Sequence, residues 1–256
     1  MFPRSQCILV ATVLCSLGLA AYAASKKKGG IFIFGPSLSG GASDSEQPLR
    51  SQPWPSTNNK HVLVCGGAGY IGTHTIVSLL ESGYDVTVVD NLLNANEEGL
   101  RRVREISQCS PDRIRFYNVD LCDGDRLEQV FQDSGKFSAC IHFAGLKAVG
   151  ESVAQPLRYY ENNLCSTLRL LKLMDKYGCC SIVFSSSATV YGSAQVPITE
   201  ETQTGLGITN AYGRTKFMIE EILKDFKRSK AADLTKAEDP WRVVLFPLTQ
   251  VLRMPH

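Results

Sequence analysis

A tyrosine and a lysine four residues apart, Tyr212 and Lys216, are the residues best suited to proton transfer. If their segment is helical, both side chains lie on one face, one turn apart. A lysine ammonium favours the phenolate of a neighbouring tyrosine, so we expect the pKa of Tyr212 to fall below its usual value of about 10. Such a tyrosine can act as a general base near neutral pH. The alternative is an ordinary surface pair on a helix.

A glycine-rich turn that could hold a dinucleotide occupies residues 66–72, between a predicted buried strand and a predicted helix. Its glycines satisfy two patterns, since Gly67, Gly69 and Gly72 match GxGxxG, and Gly66, Gly69 and Gly72 match GxxGxxG. The backbone N–H groups of such a turn reach a pyrophosphate at the helix N-terminus. Asp90 ends the next strand, where a carboxylate accepts hydrogen bonds from ribose hydroxyls and repels a 2′-phosphate. The turn therefore predicts NAD rather than NADP, and the alternative is a glycine-rich turn beside a solvated aspartate.

Three further strand ends could reach a ligand, because ligands of open parallel sheets bind at the carboxyl edge. Asp120 either contacts the adenine or caps its strand. The strand end at 142–145 includes the small residues Ala144 and Gly145, which either allow close approach of a cofactor or pack a helix onto the sheet. The serines at 185–187 form a strand-to-loop transition, or one of them shares the proton of the substrate with Tyr212.

The elements that must position these residues alternate between strands and helices from residue 61 onward. Strands are predicted at 62–65, 85–90, 114–119, 138–143, 181–186 and 242–246. Helices are predicted from the glycine turn to about residue 82, and at 97–107, 124–133, 156–177 and 211–228. This alternation implies βαβ units, so the predicted fold class is α/β, a doubly wound, Rossmann-like parallel sheet.

The composition of the chain is that of a globular protein, with 256 residues, 44% hydrophobic and 20% charged. A formal net charge of +2 gives no reason to expect a nucleic-acid partner. The nine cysteines are an odd number without a CxxC pair, which is typical of free thiols in a reducing compartment. The four histidines are scattered, so we expect no metal site.

Two segments precede the predicted sheet. Residues 7–24 form an uncharged, mostly apolar run followed by three lysines, so residues 1–25 are predicted to anchor the chain in a membrane. The rest of the chain would then be cytoplasmic. A cleaved signal peptide or a start-site artefact is the alternative. Residues 26–60 are rich in Gly, Ser, Pro and Lys, and they are expected to form a disordered linker.

Several motifs, in order along the chain, resemble those of the UDP-glucose 4-epimerases of the extended short-chain dehydrogenase/reductase family. They are GGAGYIG at 66–72, DNL at 90–92, FAGLKAVGES at 143–152, YYENN at 159–163, SSSATVYG at 185–192 and NAYGRTK at 210–216. The resemblance covers residues 61–246, which are expected to form an NAD-binding Rossmann domain. It is far more specific than any one motif.

The resemblance implies a role for each matching residue. Tyr212 is the base, Lys216 contacts the nicotinamide ribose, and Ser187 helps to hold the sugar. The residues implied to bind NAD are Gly66, Gly69, Tyr70, Ile71, Gly72, Asp90, Asn91, Asp120, Leu121, Phe143, Ala144, Gly145, Lys147 and Asn162. The implied reaction is the interconversion of UDP-glucose and UDP-galactose in galactose metabolism. Tightly held NAD⁺ oxidises the sugar at its fourth carbon, and the 4-keto sugar is then reduced on its other face.

The chain also departs from the family pattern. Relatives that dehydrate or decarboxylate nucleotide sugars carry an acidic residue just after the strand-end serine, whereas this chain has Ala188 and Thr189. That difference favours epimerisation. Residues 247–256 diverge from the pattern, although epimerases continue into a smaller C-terminal domain that grips the UDP-sugar. We therefore expect a truncated chain, with that domain missing, that binds NAD but epimerises poorly.

Two other functions remain open at this stage. One is a catalytically impaired, membrane-tethered NAD-binding fragment, and the other is a simple alcohol dehydrogenase that releases NADH. The resemblance further implies a homodimer packed through two helices of each subunit. The apolar residues expected to supply its surface are Phe217, Ile219, Ile222 and Phe226.

Overall fold

The structure, a computed structural model, describes residues 60–199, 201–232 and 241–246. The predicted anchor at 1–25, the predicted linker at 26–60 apart from its last residue, and the divergent tail at 247–256 lie outside the described residues. Within the described part, no helix has the length and apolar character needed to cross a membrane.

The described strands form one parallel sheet. They are β1 (His61–Cys65), β2 (Asp85–Asp90), β3 (Ile114–Asn118), β4 (Ala139–His142), β5 (Ser181–Ser185) and β6 (Arg242–Phe246). Their order across the sheet is β3-β2-β1-β4-β5-β6, and each neighbouring pair is parallel. This is the doubly wound order in which the chain reverses direction across the sheet between β1 and β4. The predicted α/β fold is confirmed.

Helices cover both faces of this sheet. They are α1 (Tyr70–Glu81), α2 (Glu98–Ser107), α3 (Gly124–Ser134), α4 (Val149–Ala154), α5 (Pro156–Lys176) and α6 (Ala211–Ala231). Each predicted helix is present with ends that differ by at most a few residues. The short helix α4 was not predicted, because six residues are too few to display a helical period.

The core has two layers because successive residues of a strand face opposite sides of the sheet. All five residues of β1 are buried. Leu63 and Cys65 pack into one layer with α3, α5 and α6, whereas Val62 and Val64 pack into the other with α1 and α2. A strand buried on both faces is expected in a parallel sheet covered by helices on each side.

Of the four residues predicted to supply a dimer surface on α6, Ile219 is buried, whereas Phe217, Ile222 and Phe226 are half-buried. Ile219 is 2% exposed and belongs to the core, and Ile222 and Phe226 pack against the same layer. The ring of Phe217 lies over Gly205. The prediction was therefore wrong for Ile219. The reason is that apolar residues at helical spacing mark any buried face, including the one that packs on the helix's own sheet.

Candidate active site

A cleft at the carboxyl edge of the sheet is lined by all the predicted site residues except Ser187. Every residue expected to bind the cofactor lines it, namely Gly66, Gly69, Tyr70, Ile71, Gly72, Asp90, Asn91, Asp120, Leu121, Phe143, Ala144, Gly145, Lys147 and Asn162. Tyr212 and Lys216 line the same cleft. It lies where the strand order reverses, between the ends of β1 and β4, which is where open α/β sheets bind ligands.

The glycine turn needs its glycines for close approach of backbone to backbone. Gly66 has a φ of +77°, and a Cβ there would lie 2.5 Å from the backbone N of Ala144. A Cβ on Gly72 would lie 2.6 Å from the carbonyl oxygen of Gly66. Gly69 is the N-cap of α1 and offers no side-chain cap, so the first-turn N–H groups face the cleft without a competing side chain. This arrangement fits a pyrophosphate, because such N–H groups and the helix dipole favour an anion.

Two aspartates connect the turn to the strand ends beside it. Asp90 is 7% exposed, and its carboxylate accepts hydrogen bonds from the backbone N of Ala68 at 3.0 Å and of Leu92 at 2.9 Å. Each carboxylate oxygen keeps a further lone pair that can accept a bond from a ribose hydroxyl. Asp120 accepts from Asn91 Nδ2 at 2.9 Å and from the backbone N of Cys122 at 2.8 Å. Asp120 therefore lines the cleft and also holds the turn that follows its strand, and its contact with the adenine stays a prediction.

The loop after β4 is held by an asparagine that the sequence did not single out. Asn163, on α5, accepts a hydrogen bond from the backbone N of Leu146 at 2.8 Å. Its Nδ2 donates to the carbonyl of Leu146 and to Thr215 Oγ1 on α6, at 3.1 Å in both cases. One buried amide thus joins the cofactor loop, α5 and α6. The only sequence signal was its place beside Asn162.

Tyr212 and Lys216 lie on one buried face of α6, as their spacing predicted. The helix begins here because the Asn210 side chain caps it, accepting from the backbone N of Gly213 at 2.8 Å. Tyr212 is 9% exposed and Lys216 is 5% exposed, so an ordinary surface pair is ruled out. Lys216 Nζ lies 5.9 Å from the centre of the Tyr212 ring and donates to the carbonyl oxygen of Ser185 at 2.9 Å.

The electrostatics of this pair differ from the expectation. Burial raises the pKa of Tyr212 above 10, although a hydrogen bond with Ser187 acts in the opposite direction. Burial also lowers the pKa of Lys216 to about 8, against the opposing charge of Glu220. The prediction that Lys216 lowers the pKa of Tyr212 was therefore wrong for the chain alone. Desolvation outweighs the hydrogen bond with Ser187 at Tyr212 and the charge of Glu220 at Lys216.

Ser187 joins the site through Tyr212. Its hydroxyl accepts hydrogen bonds from Thr189 Oγ1 at 3.0 Å and from the backbone N of Thr189 at 3.3 Å. Thr189 therefore orients Ser187 towards the phenol. The neighbouring residue Ser185 lines the cleft.

Metal ligands do not converge anywhere in the described part of the chain, where no group of three or more His, Cys, Asp or Glu side chains could hold an ion. His142, at the end of β4, is fully buried and pairs with Thr167 Oγ1 at 3.0 Å. Burial lowers the pKa of His142 to about 3, so it stays neutral at ordinary pH.

Comparison with known proteins adds to this geometry. Residues 62–236 match the model of the NAD dependent epimerase/dehydratase family. UDP-glucose 4-epimerase 2 of Arabidopsis thaliana is 51% identical over 187 residues, which are 73% of this chain and 50% of the relative. UDP-glucose 4-epimerase of Bacillus subtilis is 52% identical over 185 residues, which are 72% of this chain and 50% of the relative.

Solved structures of similar proteins show the same fold. The UDP-glucose 4-epimerase of Bifidobacterium longum, in complex with NAD⁺ and UDP, is 48% identical with a TM-score of 0.66. That similarity covers 72% of this chain and 52% of the other. The chain thus spans about half the length of the relatives that it matches.

Proposed function

Because the chain belongs to the NAD dependent epimerase/dehydratase family, we propose that it binds NAD in the cleft and acts on a UDP-sugar. The proposed reaction is the interconversion of UDP-glucose and UDP-galactose at the fourth carbon of the sugar. The observation that carries this proposal is the convergence of Tyr212, Lys216 and the glycine turn on one cleft. The substrate follows from the similarity to UDP-glucose 4-epimerases.

The cleft residues divide into groups that fit different parts of NAD. The first turn of α1 and the glycine turn would hold the pyrophosphate, and Asp90 with Asn91 would accept hydrogen bonds from the adenosine ribose. Asp120 and Leu121 would border the adenine. Lys147, exposed at the rim, would face the phosphates. When bound, NAD⁺ supplies a hydride acceptor and the positive charge of its nicotinamide ring.

The proton chemistry belongs to the chain's own residues. Tyr212 accepts the proton of the sugar hydroxyl as a general base, and it returns a proton when the sugar is reduced again. Ser187 shares that proton through its hydrogen bond with Tyr212. Lys216 is held towards the cleft by its bond to the Ser185 carbonyl oxygen, where its ammonium stabilises the phenolate. The low exposure of this group excludes water from the proton path.

A spectroscopic experiment tests the proposed function. We expect that UDP-glucose added to the NAD⁺-loaded chain produces the absorbance of reduced nicotinamide, because Tyr212 deprotonates the sugar as it is oxidised. Tyr212→Phe should still bind NAD, but the absorbance should appear at least about 100-fold more slowly. Phe fills the same space and removes only the hydroxyl. The proposal fails if wild type and Tyr212→Phe give the same signal, or if neither gives any.

We also propose that two copies of the chain associate through α5. Four large apolar side chains of α4 and α5 are exposed, with Val149 44%, Val153 63%, Leu157 73% and Leu168 43% exposed. Leu157 and Leu168 are eleven residues apart, which places them on one stripe of the helix. A second copy, with the same stripe, is the partner that fits a self-complementary apolar surface.

A further inference from the structure

A buried carboxyl group, Glu220, lies beside the proposed active site without a role in the proton transfer. Tyr212, Lys216 and Glu220 follow one another at four-residue intervals along one face of α6. Glu220 is 5% exposed, and its Oε1 accepts a hydrogen bond from the hydroxyl of Ser186, which is 1% exposed. Burying a carboxyl group is costly unless it is paired, so its position beside a buried lysine calls for an explanation.

Two neighbouring bonds join α6 to the end of β5. Lys216 Nζ donates to the Ser185 carbonyl oxygen at 2.9 Å, and the Ser186 hydroxyl donates to Glu220. Both bonds join α6 to consecutive residues, Ser185 and Ser186, at the end of β5. They therefore fix the register between α6 and the segment that leads into Ser187. The contact between Ser187 and Tyr212 depends on that register.

The charges around this pair come from few groups. Glu220 is the carboxyl whose charge opposes the effect of burial on the pKa of Lys216. His142 on β4 faces Lys216, and its own pKa of about 3 keeps it neutral. Burial raises the pKa of Glu220, and Glu221 adds to that rise, whereas the hydrogen bond from Ser186 and the charges of Lys224 and Lys216 oppose it. Tyr212 completes the set, while β5 contributes the uncharged groups of Ser185 and Ser186.

We propose that Glu220 is a positioning residue that keeps Lys216 a buried ammonium and fixes the strand end against α6. A contribution of Glu220 to catalysis rests on the proposed function. The bonds of Lys216 to Ser185 and of Ser186 to Glu220 lie within the chain and do not depend on a cofactor. The role acts through Lys216 and Ser186, and Glu220 itself touches no reacting atom.

The protonation of Lys216 provides the test. Carbon-13 NMR of the lysine Cε atoms follows the titration of each lysine in the folded chain, and loss of one signal in Lys216→Met identifies Lys216. Glu220→Gln keeps an acceptor for Ser186 and removes the charge, so we expect the titration midpoint of Lys216 to fall by about one pH unit. Ser186→Ala removes the hydrogen bond and keeps the charge, so the midpoint should stay near that of wild type.

Glu220→Asp distinguishes an effect of charge from an effect of packing, since it keeps the charge on a shorter side chain. We expect it to restore most of the midpoint that Glu220→Gln loses. An unchanged or higher midpoint in Glu220→Gln would overturn the proposal, as would an equal fall in Glu220→Asp or Ser186→Ala. These results do not depend on the cofactor. If the chain does not bind NAD, the proposed function is refuted, but the titration of Lys216 still tests the role of Glu220.

Discussion

At the scale of single residues, the site depends on a conflict between burial and charge. Tyr212 and Lys216 are both nearly buried, and burial disfavours the charged form of each. The spacing of the pair predicted its shared face but not the direction of the tyrosine shift. Sequence shows which groups are neighbours, whereas desolvation depends on what covers them. Ser187 acts on Tyr212 from a loop that only the fold brings close, whereas Glu220 acts on Lys216 from the next turn of α6.

This conflict leads to a prediction for the titration of Tyr212. In the chain alone burial raises the pKa of Tyr212, so the neutral phenol is favoured. NAD⁺ brings a positive charge, which favours the phenolate, so we expect its addition to lower the pKa of Tyr212. The measurement is the ultraviolet absorbance of phenolate against pH, with Tyr212→Phe subtracted. NADH has no charge on its ring and serves as the control. An equal shift with NADH and NAD⁺ would contradict the electrostatic explanation.

At the scale of elements, the glycine turn between β1 and α1 carries a strict steric demand. Sequence predicted the turn correctly, because strand, glycines, helix and Asp90 follow one another at the required distances. It could not predict that the opposite wall is the loop after β4. Gly66 must be a glycine because the backbone of that loop lies against it. The two segments are neighbours because Cys65 pairs with His142, which is 77 residues further along the chain.

Substitution of Gly66 tests this demand. We expect Gly66→Ala to lower the free energy of unfolding by about 2–5 kcal/mol, because its φ is positive and its Cβ would collide with the backbone of Ala144. Gly150→Ala, on α4, is the matched control, since a Cβ there meets nothing within 4 Å. It should leave stability unchanged or raise it by up to about 1 kcal/mol. Urea denaturation measures both variants, and equal effects would refute the steric argument.

At the scale of the whole molecule, the order of strands and helices follows from their alternation in sequence. The two-layer core follows as well, because near-continuous apolar strands such as β1 fit a sheet covered on both faces. The sequence does not show which apolar helix residues remain on the outer surface. Ile219 of α6 was expected to face a partner, yet it belongs to the core, and two exposed leucines lie on α5. Both faces show the same helical spacing, so only packing separates them.

The association of two copies is testable on that stripe. Leu157→Glu places a charge at the centre of the proposed surface, so we expect sedimentation to change from a dimer to a monomer. Ile106→Glu is the control, because Ile106 is 56% exposed on α2, which packs on the opposite face of the sheet. It should leave the dimer intact. A wild-type monomer, or equal dissociation by both variants, would rule out α5 as the interface.

The central claim is that the cleft at the carboxyl edge is a site for NAD, and calorimetric titration tests it most directly. The account predicts saturable binding of one NAD⁺ per chain. NADP⁺ should bind at least about tenfold more weakly, a difference of about 1.4 kcal/mol, because Asp90 repels a 2′-phosphate. A folded chain that shows no saturable binding of NAD⁺, or that prefers NADP⁺, would contradict it.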